Sequence, residues 1–95
     1  MVVGTGHIIF RLHECHSLKE KRRIVKSIIG RLRNAYNASI AEVAANDMFQ
    51  RAEIGLAMVG NDSRVINSKI DQLIDMAEEM GLAEIIDTEF EIITL

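Results

Sequence analysis

Residues 7–36, HIIFRLHECHSLKEKRRIVKSIIGRLRNAY, change their apolar period part-way along, and that change decides the fold. At the start, Ile8, Phe10 and Leu12 fall on one side, with His7, Ile9, Arg11 and His13 on the other. A period of two is that of a strand with one buried face, and it predicts a strand within residues 2–14. From Ser17 the apolar residues Leu18, Val25, Ile28, Ile29, Leu32 and Tyr36 recur at the spacing of one helical face. Ser17-x-x-Glu20 is a capping box, in which each side chain satisfies a backbone N–H at the helix start. Asn34 and Asn37 flank the stop.

The same reading extends along the chain. In residues 52–59, Ala52, Ile54, Leu56 and Met58 alternate with Glu53, Gly55, Ala57 and Val59. Residues 38–45 (ASIAEVAA) form a weaker strand pattern, because Ala and Glu disfavour strands, and a helix can be drawn there instead. Residues 46–51 between them begin with turn formers and suit a hairpin loop. Gly60-Asn61-Asp62 then opens a second helix whose inner face is Ile66, Ile70, Leu73, Ala77 and Met80, closed by Gly81. Ile86, Thr88, Phe90 and Ile92 alternate with acids in a last strand, which puts Phe90 with Phe10 on the core side. The order is βαββαβ in one domain over residues 1–95. It predicts an α+β, ferredoxin-like fold: a four-stranded antiparallel sheet with two helices on one face. The other face is open, as alternating strands require.

Composition narrows the class. With 48% hydrophobic residues, no Pro and six Gly, the chain has what an ordinary globular core needs. A single cysteine, Cys15, cannot form an intrachain disulfide and points to a reducing compartment, hence the cytoplasm. No apolar run approaches the ~18 residues of a membrane span, and the N-terminus has no signal-peptide pattern. Net charge is −3, but it is unevenly placed. Residues 17–36 hold seven of the eleven Lys and Arg residues and one acid, whereas residues 62–95 hold nine acids and two bases. A partner meets the local patch rather than the total.

That basic segment is the main candidate for binding. On a helix of about 100° per residue, Lys19, Arg22, Arg23, Lys26 and Arg33 form one stripe roughly 100° wide, while Lys21 and Arg31 point elsewhere. A stripe of bases with no acid in it can lie along a phosphate backbone; as an alternative, it is a solvated face or a contact to the acidic half of another copy. Gly30 interrupts this helix beside the stripe. The split-βαβ plan brings the helix N-terminus close to the loop carrying Met48, Phe49, Gln50 and Arg51. Gln50 and Arg51 extend the candidate nucleic-acid contacts. Met48 and Phe49 either fold back over the core or anchor a partner.

Other chemistry is thinly represented. His13, Cys15 and His16 crowd three potential ligands into four residues with no spaced second pair, which is a poor metal set. No nucleophile elbow, Walker loop or dinucleotide fingerprint occurs, so no catalytic residue is assigned and a non-enzyme is expected. Nothing in the sequence asks for a cofactor or a small-molecule substrate. The outward positions of the central strands, His7, Ile9, Arg11, Glu53, Gly55, Ala57 and Val59, hold no aromatic ring for stacking RNA bases. The small residues Gly55, Ala57 and Val59 suit packing against a second sheet, as in a homodimer.

Ser17-Leu-Lys-Glu-Lys-Arg22, followed by Ala41-Glu42-Val43 and Asp47-x-Phe-Gln-Arg51, resembles the YlxP-like family of small bacterial proteins of unknown function. The resemblance spans nearly the whole chain, the hexapeptide being its most specific part, and it implies a ferredoxin-like fold. Members are often encoded beside transcription-termination, initiation-factor and ribosome-maturation genes, which implies a role near RNA or the ribosome. Members often carry Trp where Phe49 stands here. The expectation is a non-enzymatic RNA- or ribosome-associated module, with a protein–protein adaptor or homodimer as the alternative.

Overall fold

A computed structural model describes all of residues 1–95. The elements are β1 (Val2–Arg11), α1 (Leu18–Ala35), β2 (Ser39–Ala44), β3 (Arg51–Gly60), α2 (Ser63–Glu79) and β4 (Glu84–Thr94). The strands form one sheet in the order β2-β3-β1-β4 with every neighbouring pair antiparallel. Both helices pack on one face of it, as the ferredoxin-like plan requires.

The core lies between that face and the helices. Ile8, Phe10, Ile54, Leu56 and Met58 from the central strands meet Val25, Ile28 and Leu32 of α1 and Ile66, Ile70, Leu73 and Ala77 of α2. Gly4 sits where α2 crosses β1: a Cβ there would lie 2.5 Å from Ile66 Cγ2, so the glycine is what lets the helix seat. Ser17 Oγ accepts from the Glu20 N–H at 3.1 Å. Glu20 reaches back one residue further than an ideal capping box, to the His16 N–H at 3.2 Å. Asp62 caps α2 by accepting from the N–H groups of Arg64 and Val65. Gly81 ends it at φ +66.

One strand bound needs correction, and two further expectations hold with qualifications. The first strand stops at Arg11, and Leu12 and Cys15 are buried from the connector rather than from a strand. Residues 39–44 form a strand despite the Ala-rich sequence, since pairing with β3 outweighs weak intrinsic preference. Its register shifts between Glu42 and Ala44, a bulge that precedes Ala45 at φ 59. Phe90 does face the helix side, opposite Gly6, yet it remains 47% exposed because β4 is an edge strand. A second irregularity, against Ile9 and Phe10, brings Ile85 opposite Phe10 and leaves Ile86 exposed.

Candidate nucleic-acid interface

The capped start of α1 orders its first three turns, and the burial of Val25, Ile28 and Leu32 turns the opposite side to solvent. Lys19, Arg22, Arg23 and Lys26 are all exposed there. None of the four has a carboxylate oxygen within 4.0 Å; the ion pairs of the protein involve other residues. Arg33, on the same stripe, is engaged: its guanidinium donates to the Ile40 carbonyl oxygen on the outer edge of β2. That edge has no strand partner, so the contact satisfies a group the sheet leaves open.

Lys21 behaves unlike the other bases of the helix. Only 1% of it is exposed. Its Nζ donates to the Ala45 carbonyl oxygen and lies 2.9 Å from Glu42 Oε2. Burying an ammonium costs several kcal/mol unless a partner compensates it, and here the compensation comes from the bulged end of β2. The sequence held a signal for this pair. Lys21 precedes Val25 by four residues on the inner helix face, and Glu42 follows Ile40 by two on the inner strand face.

The 46–50 loop is held to the same end of the molecule. The Leu12 N–H donates to the Gln50 carbonyl oxygen at 3.0 Å, and Gln50 Nε2 donates to the Cys15 carbonyl oxygen at 3.2 Å. The Met48 N–H closes the turn on the Ala45 carbonyl oxygen at 3.0 Å. Gln50 is therefore a clip between the two loops. Met48 and Phe49 stand 51% and 41% exposed and are not packed on the core, so the fold-back arrangement is not the one adopted.

Arg51 lies at the start of β3 on the open sheet face, where its Nε donates to Glu53 Oε2 at 3.3 Å. Glu53 Oε1 is 3.1 Å from His7 Nε2, which completes a line of three polar side chains across β3 and β1. Beyond it Val59, Val3 and Ile93 form one apolar row across three strands, with Val59 and Ile93 exposed. His13 Nε2 meets Glu84 Oε2 at 2.6 Å, while Cys15 is buried and His16 exposed, so these three side chains do not converge.

The model for the family described as protein of unknown function (DUF503) matches residues 3–90. The chain belongs to that family. A similar protein, Uncharacterized protein YlxP of Bacillus subtilis (strain 168), is 41% identical over 68 residues, covering 72% of this chain and 73% of the relative. That agrees with the YlxP-like resemblance carried by the hexapeptide at Ser17. Among solved structures, the de novo designed protein Foldit4 superposes with a TM-score of 0.55 at 12% identity, covering 100% of this chain and 99% of its own. A dimeric ferredoxin-like protein of unknown function from Thermobifida fusca superposes with a TM-score of 0.51 at 12% identity, covering 98% and 92%. At such identities the likeness is one of fold, and function has to be argued from the site. Neither helix of this family member is long and apolar enough to cross a membrane.

Proposed function

We propose that the protein is a non-catalytic module of the reducing cytoplasm that docks the phosphate backbone of RNA along the exposed face of α1. The observation that carries this reading is the set Lys19, Arg22, Arg23 and Lys26, aligned and without carboxylate partners in a chain of net charge −3. Unpaired cations on an ordered helix repel one another, and a polyanion relieves that repulsion while releasing its own counterions. With Arg33 engaged at β2, four phosphate contacts remain, and log K on a single strand should fall with log salt at a slope of about −2.8. The test is a salt series of binding to ribosomal RNA, with a Lys19→Glu, Arg23→Glu, Lys26→Glu variant beside the wild type. Steep salt dependence lost in the variant supports the reading. Absent binding, or binding unchanged in the variant, overturns it.

The row Val59, Val3 and Ile93 favours a second reading, a homodimer packed through the open sheet face. The dimeric ferredoxin-like neighbour supports it at the level of fold. Light scattering should then show a dimer insensitive to salt and lost in Val59→Lys. A monomer at every concentration and salt tested sinks it.

A further inference from the structure

At the end of the sheet nearest the 46–50 loop, an open depression of about 220 Å³ is lined by Phe10, Arg11, Met48, Gln50, Arg51 and Ile86. We infer that this depression seats one unpaired nucleobase, so that the RNA taken by the protein is single-stranded. The inference rests on the phosphate-docking reading of α1 and names its substrate class.

The chemistry of the lining suggests both halves of a nucleotide. Met48 and Ile86 are large apolar side chains left in water, 51% and 39% exposed, and both line the same depression. A flat base between them would remove that surface from water, and a thioether makes favourable contacts with aromatic rings. Phe49 stands beside Met48 and offers a further stacking surface. Gln50 uses its Nε2 on Cys15, and its Oε1 carries no intramolecular bond and is available to accept from a base edge.

The rim is cationic and only half compensated. Arg11 and Arg51 stand directly opposite each other in the β1–β3 register, and like charges so placed are destabilising. Arg51 is balanced by Glu53. Arg11 has no carboxylate within 4.0 Å, and Glu84, its register partner on β4, meets His13 at 2.6 Å instead. A phosphate at Arg11 would meet that unpaired charge. An acidic peptide would meet it too, but without a plane to fill the space between Met48 and Ile86.

The loop is also prepared for the task. Lys21 of α1 holds the Ala45 carbonyl oxygen, Leu12 of the connector holds the Gln50 carbonyl oxygen, the Gln50 side chain holds Cys15, and the Met48 N–H closes the turn on Ala45. The loop's side chains are exposed on a backbone that is already ordered, so binding orders little more.

The test compares binding of the full chain to single-stranded oligo(U) and oligo(A), to an RNA duplex of equal phosphate number, and to polyglutamate of equal charge. Wild type should favour a single strand over the duplex by about tenfold or more, the worth of one stacked base. Met48→Ser and Ile86→Ser should each lose about that factor on single strands and nothing on the duplex. Arg11 adds a fifth phosphate contact to the four on α1, so the single-strand slope should steepen to about −3.5, and Arg11→Gln should return it to about −2.8. All three side chains are solvent-exposed, and matching circular dichroism melts establish that the variants remain folded. Equal affinity for strand and duplex, equal affinity for polyglutamate, or wild-type binding by both serine variants overturns the base site. If the α1 triple variant still abolishes binding in that case, helix docking stands without it. If no RNA binds to wild type, both readings fall together.

Discussion

Lys21 and Arg23 are two residues apart on one helix and have opposite fates. Arg23 is solvated, whereas Lys21 is enclosed with Glu42 and the Ala45 carbonyl oxygen. Removing one partner of a buried pair leaves the other uncompensated, at a cost of about 3–5 kcal/mol. Glu42 keeps some contact with water, which places Lys21→Ala at the lower end, near 3 kcal/mol by urea denaturation. Replacing both residues, Lys21→Met with Glu42→Met, should recover most of that loss, since apolar isosteres of buried pairs are often neutral. A double variant no more stable than Lys21→Ala would show that the loop, rather than the charge, suffers. Phe49→Ala, by contrast, should melt within about 0.5 kcal/mol of wild type, as an exposed substitution does.

At the scale of the element, a glycine in α1 and one in β1 have different reasons to be there. Gly30 lies within α1, and a Cβ there would meet nothing within 4 Å. Gly30→Ala should therefore stabilise the protein by about 0.5–1 kcal/mol, read as a rise in Tm. No gain would mean that an unseen contact occupies that space. Gly4→Ala should act in the opposite sense by about 1–3 kcal/mol, because its Cβ would press Ile66 and Ile70 out of place. The elements themselves are legible from period: the buried rows of β3 and α2 are those that alternation and helical spacing predict, except that Met80 lies at the C-cap of α2 and is only partly buried. β4 was less legible. Its register shift and edge position expose Ile86 and Phe90, and no local pattern reports either.

For the whole molecule, charge is segregated: cations gather on the outer side of α1, and acids dominate α2 and β4. Because Lys19, Arg23 and Lys26 support no ion pair, reversing all three should change folding stability by little, about 0.5 kcal/mol or less per site. Thermal melts at two salt concentrations check this, and a loss of several kcal/mol would mean that the stripe serves the fold. The open sheet face contributes a second large-scale feature. Arg51, Glu53 and His7 sit on it in one line, so its centre is largely self-compensated while its far end is apolar. Such a face tolerates being covered, and the acids of β4 discourage edge-to-edge pairing of two copies through that strand.

Element order, the buried rows of β1, β3 and the two helices, the helix caps and the placing of Lys19, Arg22, Arg23 and Lys26 on one solvated face are all legible in the sequence. Each of these follows from local spacing, because a period of two or of 3.6 assigns sides without reference to the rest of the chain. Tertiary structure decided which charges are free. It took Lys21 inward to Glu42, held Arg33 on the edge of β2 and Gln50 on the Cys15 carbonyl, and set Arg11 against Arg51 beside Met48 and Ile86. Apart from Arg33 and Ile40, those contacts join residues far apart in sequence. Their geometry exists only after the sheet has closed.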